Sequence, residues 1–255
     1  MGKSSGSRVP GADLWSDQRP AIKQEALYLL LREGEIQGFN ERIAAGERCD
    51  LTMADLRGLD LRKLEYIGAD FTNSAFRGGD LRGLDLRSCT LAGANIMGAN
   101  ANGTYFPLNL APSELHASLV YGIRMNTTQA ESSVDFGERS MSTTPIISSD
   151  PLYLLLREGH IEKFNSLRAQ GEKVDLRGCD LRGLDLRTLN ANDLDLTNTY
   201  LRNADMRGVD LRKCTLAGAS LGDAKISGAY FPAQLEMDEI LLSVRFGTRI
   251  RSWES

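Results

Sequence analysis

With 255 residues and 42% hydrophobic content, the chain has room for one or two domains and a sizeable core. Its 30 basic and 34 acidic side chains, a net charge of −4, exclude a polybasic nucleic-acid binder and a strongly acidic tail protein, so direct nucleic-acid binding is not expected. No apolar run approaches the roughly 20 residues that span a bilayer, which speaks against a membrane partner. Two histidines, His116 and His160, leave little for metal or acid–base chemistry.

Residues 1–20 (MGKSSGSRVPGADLWSDQRP) have no apolar segment of the secretory kind and read as a disordered leader. From there the chain is a tandem duplication: residues 26–125 align on 151–250 at a constant offset of 125, about half of the positions being identical. LYLLLREG at 27–34 returns at 152–159, CTLAGA at 89–94 at 214–219, and YFP at 105–107 at 230–232. Each copy opens with a helical pair. In the second, Asp150 is placed to N-cap, Pro151 suits the first turn, and Gly159 ends the helix. A second helix over 161–170 lines up Ile161, Phe164 and Leu167 and stops at Gly171. In the first copy Ile36, Phe39, Ile43 and Gly46 repeat the pattern. These helices are expected to cover the top of the repetitive segment in each copy.

That segment has a period of five. Every fifth residue from Leu51 to Phe106 is apolar or aromatic, twelve in succession, and the same holds from Leu176 to Phe231. Two positions earlier stand small or apolar residues, Cys49 to Thr104 and Val174 to Ala229. A helix would spiral such a pattern around its surface, and a plain strand needs a period of two. Five fits if each unit is one side of a coil: two residues inward, three outward, then a corner, with four sides closing a turn of twenty. Twelve units make about three coils per copy, ~14 Å tall at the spacing of paired strands, with two open ends that need covering.

Units such as ADLRG (54–58), GADFT (68–72), LAGAN (91–95) and NADMR (203–207) give the sequence a resemblance to the pentapeptide repeat family, whose motif is roughly A(D/N)LXX. The resemblance implies an all-β architecture, two right-handed quadrilateral β-helices with short α-helical caps. It covers roughly 49–107 and 174–232. Leu59, Leu64, Leu84, Leu184, Leu189 and Leu194 stand where the family prefers Ala. The expected domains are a helical cap and first repeat over 21–125 (repeats 49–108), a flexible linker over 126–149, and a cap and second repeat over 150–255 (repeats 174–233). Pro107 and Pro232 suit a terminal edge. The segments after them are expected to close the bottom as one helical turn and a strand.

The search for chemistry returns little. Cys49, Cys89, Cys179 and Cys214 all take inward positions too far apart for disulfides, and read as buried, reduced thiols of a bacterial, cytoplasmic protein. No GxSxG, P-loop, HExxH or CxxC motif occurs, so neither an enzyme nor a cofactor is expected. Asp recurs before each central residue and Arg after it, pointing outward, in columns such as Arg57 over Arg77, Arg62 over Arg82, Arg182 over Arg202 and Arg187 over Arg207. The columns are either solvated, mutually neutralised faces or a surface for an acidic partner, and these eight arginines are the candidate partner-binding residues. The third coil of the first copy, 89–107, carries no charge; its counterpart carries only Asp223 and Lys225. It packs under the C-terminal cap, or against the other lobe or a partner. The composition fits a protein–protein interaction scaffold with an unknown protein partner, the lobes packing on each other or dimerising. The family resemblance also implies an alternative, a DNA mimic that protects or inhibits a type II topoisomerase. Against it stand seven acidic and six basic residues in 49–107, and eight of each in 174–232.

Overall fold

The computed structural model describes residues 19–126 and 144–251, so nearly all of the expected leader and most of the expected linker lie outside the described residues. Within them the five-residue period becomes a stack of coils. Parallel bridges join residues twenty apart: Asp55 to Ala75 to Asn95, Asp60 to Asp80 to Asn100, Asp70 to Thr90, and Asp85 to Tyr105. The second copy repeats this as Asp180 to Tyr200 to Ser220, Asp185 to Asp205 to Lys225, Asp195 to Thr215, and Asp210 to Tyr230. Two backbone bonds close each rung. The Leu56 N–H donates to Ala75 O at 2.8 Å, and the Ala75 N–H to Ala54 O at 3.0 Å. Four columns of rungs surround each stack. They remain isolated bridges because the chain turns a corner in every unit. At most corners one residue has positive φ. Gly58 (φ 69°) and Gly83 (φ 72°) do this without a Cβ penalty. Asn73, Asp193, Asn198, Asn203 and Asp223 replace glycine at φ between 57° and 60°, being residue types that tolerate the left-handed region.

The central residues of the units are stacked inside. Leu56, Leu61, Phe76, Leu81, Leu181, Leu201 and Leu211 are all fully buried. The second inward column is smaller, and several of its polar members bond across coils. The Ser74 hydroxyl donates to Leu51 O (2.6 Å), the Thr104 hydroxyl to Leu81 O (2.7 Å) and the Cys214 thiol to Ala191 O (2.8 Å). Buried polar groups are tolerated here because each has its acceptor.

Helices and short segments finish the ends. At the top of the first lobe lie α1 (Ala26–Glu33) and α2 (Ile36–Ala44), and at the top of the second α4 (Pro151–Arg157) and α5 (Ile161–Ala169). The Asp150 carboxylate caps α4, accepting from the Leu152 N–H at 2.7 Å. Buried Tyr28 and Tyr153 donate to the carbonyls of Asp55 (2.6 Å) and Asp180 (2.9 Å). Ahead of the helices, Ala21 and Ile146 each add a parallel rung, on Ala54 and Cys179.

At the bottom, α3 (Pro112–Tyr121) and α6 (Met237–Phe246) are ten residues long, where the sequence had suggested one turn. Each has apolar residues on more than one face, which blurs the single stripe that marks a helix in sequence. Ser118 and Ser243 accept the Ile96 and Leu221 N–H groups (3.2 and 2.9 Å). The Gly98 N–H donates to Leu119 O (3.0 Å), and the Gly93 N–H to Met125 O (2.6 Å).

The two lobes touch through these bottom elements. α3 packs on α6, and Leu242 of α6 enters the first core, with Phe246 packed against it. The Gly103 N–H donates to Gly247 O (2.7 Å), and the Arg249 N–H to Thr104 O (3.0 Å). Arg251 donates to Pro107 O and Leu110 O (2.9 and 2.8 Å) and pairs with buried Glu239 at 2.6 Å. The uncharged third coil thus lies partly under its own cap and partly against the second lobe.

Inward and outward positions separate cleanly under substitution. Leu81→Asp and Met206→Asp, at side chains 0% and 1% exposed, each place a carboxylate among apolar neighbours. They should cost several kcal/mol or abolish folding. Arg82→Ala should leave the melting curve nearly unchanged. Thermal and urea unfolding by circular dichroism check the contrast.

Candidate functional site

The outward face is built from the Asp-Leu-Arg triplet. The Asp carboxylate first bends its own chain: Asp55 Oδ1 accepts the backbone N–H of Arg57 at 3.1 Å, two residues on. Asn95 and Asn190 do the same for Met97 and Asn192, and Asp50 and Asp70 for Thr52 and Thr72. This local bond explains why Asp or Asn recurs two places before residues as different as Arg, Thr and Met. Where Arg stands two places on, its guanidinium returns to the same carboxylate as a two-pronged fork. For Arg57 on Asp55 the Nε and Nη2 distances are 2.8 and 2.6 Å.

Six of the eight predicted arginines are held this way. Arg57, Arg62 and Arg82 grip Asp55, Asp60 and Asp80, and Arg182, Arg187 and Arg207 grip Asp180, Asp185 and Asp205. The pairing runs mainly along the chain within one triplet; a link between coils is longer, as from Arg62 to Asp80 at 3.5 Å. The other two stand apart. Arg202 comes after Tyr200 instead of Asp and reaches Asp223 at 3.2 Å. Arg77 comes after Ala75, is exposed, and has no side-chain partner among the described residues. The columns therefore present forked pairs with Arg77 as an open cation between them.

The forks hold the carboxylates of Asp60, Asp205 and Asp210 down at about 2, from an ordinary 3.8, chiefly through the arginine hydrogen bonds. Burial acts on the thiols in the other direction. Cys49, Cys89 and Cys179 are pushed up to about 11 and Cys214 to about 12, from 9.0. All four cysteines are free and buried. Among the described residues no group of three or more His, Cys, Asp or Glu could hold a metal ion, and no helix is long and apolar enough to cross a membrane.

A model of pentapeptide repeats matches residues 67–106, 172–208 and 195–231, with eight copies. Pentapeptide repeats thus occupy the periodic segment of both copies. No curated protein matches it. Among solved structures it is similar to HetL, a pentapeptide repeat protein involved in heterocyst differentiation regulation from the cyanobacterium Nostoc sp.. Identity is 18%, the match covers 73% of this chain and 63% of that one, and the TM-score is 0.22. The assignment rests on the matched repeats and the twenty-residue ladder.

In these pentapeptide repeats the periodic positions are legible in the sequence, and the residues joining the lobes are not. Arg249 stacks over Tyr105 of the first lobe (5.2 Å) and Tyr200 of the second (4.0 Å), and Arg87 covers the Tyr105 ring at 5.0 Å. Arg249 and Arg251 lie beyond the last repeat, where no period marks them. Beside them a cleft of about 220 Å³ opens between the lobes, lined in part by Asn100, Asn102, Arg202, Asp223 and Phe246.

The forks differ in what they leave behind when broken. Asp55 and Asp180 are buried and Asp60 is exposed. Arg57→Gln and Arg182→Gln should therefore lower the melting temperature by a few degrees, and Arg62→Gln hardly at all. Differential scanning calorimetry would detect the difference.

The same groups set the pH profile. Carboxylates held below their unfolded value stabilise the fold above about 4 and lose that contribution as pH falls towards 2. Thiols held above theirs bind protons more tightly when folded, so their contribution fades as pH rises from about 9 through 11. Melting temperature against pH should show a plateau with both flanks, the alkaline one shrinking in a variant with the cysteines replaced by alanine.

Proposed function

We propose that this protein is a non-enzymatic interaction scaffold or adaptor for a protein partner in the bacterial cytoplasm, each repeat forming a right-handed quadrilateral β-helix of about three coils. The observation that carries the proposal is the array of Asp–Arg forks. It fixes charged groups in rows on a stiff wall, and a surface already ordered before contact loses little conformational freedom on binding. Arg77, unforked and exposed, is where an acidic group of the partner would first find a free guanidinium. Thiols held at about 11 to 12 stay protonated at neutral pH and make poor nucleophiles. Mimicry of duplex DNA gains no support from carboxylates of which most in the Asp-X-Arg units are closed by an arginine.

The test is capture with the tagged full-length chain. Wild type should recover a defined protein partner, and raising the salt should weaken capture, because exposed charges are screened beyond about 8 Å at physiological ionic strength. Replacing Arg62, Arg77, Arg187 and Arg202 with Gln should abolish recovery with an unchanged circular dichroism spectrum; Arg57 and Arg182 are spared because their carboxylates are buried. A partner that survives the four substitutions removes the arginine face from the proposal. Inhibition or protection of a purified topoisomerase at equimolar protein would replace it with the DNA-mimic alternative.

A further inference from the structure

The lobes are copies, yet the contact between them uses different parts of each. The first lobe gives the bottom edge of its third coil, 101–105. The second gives the tail after α6, 247–249. Gly103 and Thr104 exchange backbone bonds with Gly247 and Arg249. Tyr105, already covered by Arg87, receives the Arg249 guanidinium at 5.2 Å, and its hydroxyl donates to Asn198 Oδ1 at 3.3 Å.

Every one of these groups has a twin 125 residues away, and the twins are not joined to each other. On the second lobe the edge is ISGAYFP (226–232), against ANGTYFP (101–107) on the first. The Gly228 N–H and the Ala229 carbonyl have no partner among the described residues. Tyr230 carries Arg212 over its ring at 4.9 Å, as Tyr105 carries Arg87, and is 58% exposed. On the first lobe the tail is YGIRM (121–125), against FGTRI (246–250). Tyr121 and Ile123 are 69% and 55% exposed, and the Arg124 N–H has no backbone partner among the described residues. The Gly122 carbonyl accepts from Asn95 Nδ2, just as Gly247 O accepts from the Ser220 hydroxyl while also taking the Gly103 N–H. Asn73, the twin of Asn198, holds the same left-handed conformation (φ 59° and 58°).

We propose that the open edge of the second lobe, 226–230, binds the open tail of the first lobe, 121–124, of a second copy of this chain, repeating between molecules the contact made within one. Gly228 donates to the partner copy's Gly122 carbonyl, the partner's Arg124 N–H donates to Ala229 O, and its guanidinium closes the free face of Tyr230. Ile123 suits the place better than its twin. Thr248 is 1% exposed and its hydroxyl finds no partner among the described residues, so the site is apolar. The contact between molecules is the weaker of the two. Asn126 stands in place of Arg251, so the buried pair with Glu239 has no counterpart, and Ala75 in place of Tyr200 removes the second stacked ring. Association is therefore reversible and concentration-dependent. Because edge meets tail, the contact is heterologous and a dimer keeps one edge and one tail free, one on each molecule. The inference is independent of the arginine face: it concerns purified protein alone.

Sedimentation velocity of the full-length chain over a hundredfold concentration range tests it. Wild type should pass from monomer to dimer and larger species. Tyr230→Glu removes the edge and Ile123→Glu the tail, so each alone should stay monomeric. An equimolar mixture should give a dimer that grows no further, one variant supplying the intact tail and the other the intact edge. Ile67→Glu, at an 88% exposed side chain elsewhere, should associate as wild type does. A wild type monomeric throughout, a variant that still self-associates, or a mixture without the capped dimer would each overturn the proposal. Should either variant lose its circular dichroism spectrum, Ser227→Arg and Tyr121→Glu replace them at the same two surfaces.

Discussion

The backbone N–H at the head of each unit must find a carbonyl nineteen residues further on, and most of the molecule is arranged so that it does. A rung such as Leu56 to Ala75 forms only when four successive corners bring the chain back over itself. The left-handed glycines and asparagines, the Asp that bends its own triplet, and the stacked leucines and phenylalanines all serve that return. The same demand creates the difficulty of the ends, since the last coil has donors and no next coil. Ser118, Leu119 and Met125 answer it for part of the first lobe, and Gly247 of the second lobe for another part. The contact between lobes thus belongs to the same hydrogen-bond system as the ladder.

The charged surface has a structural origin before it has any use. Asp is present because a carboxylate satisfies the backbone N–H two residues on, and Arg because a guanidinium then fits the carboxylate's remaining lone pairs. Exposed pairs of this kind contribute little stability individually. Their effect is on shape and order: long side chains that would otherwise sweep the solvent lie flat along the wall. Departures from the triplet, such as Ala75 ahead of Arg77, are the positions where the surface does something the coil does not require.

The period of five was legible because one inward residue per unit tolerates no polar substitute, so a run from Leu51 to Phe106 carries it without exception. The upper helices were legible from their caps: Asp150, Pro151 and Gly159 mark a start and a stop. The lower helices were underestimated because apolar residues of α3 and α6 stand on more than one face, so no single stripe marks them in the sequence. The hydroxyl of Tyr28 on the Asp55 carbonyl, the rung made by Ile146, and the Gly247 to Gly103 bond left no trace in the sequence. Two of these bonds are made by the backbone, which any residue supplies, and the third is a long-range contact by a tyrosine that reads equally well as core. For the candidate site, the eight arginines were found by spacing alone. Their forks, and the isolation of Arg77, depend on which residue stands two places before.

Four sides to a turn also restrict how such a chain can change length. Deleting one five-residue unit keeps every remaining leucine inward and every Asp outward, so the wall itself tolerates the loss. It rotates everything downstream by a quarter turn, however, and the closing helix would then meet the last coil on the wrong side. Only a whole turn of twenty restores the alignment of cap, tail and neighbouring lobe. Length variation in proteins of this architecture should therefore be written in twenties near a closed end, while single units come and go where nothing is docked.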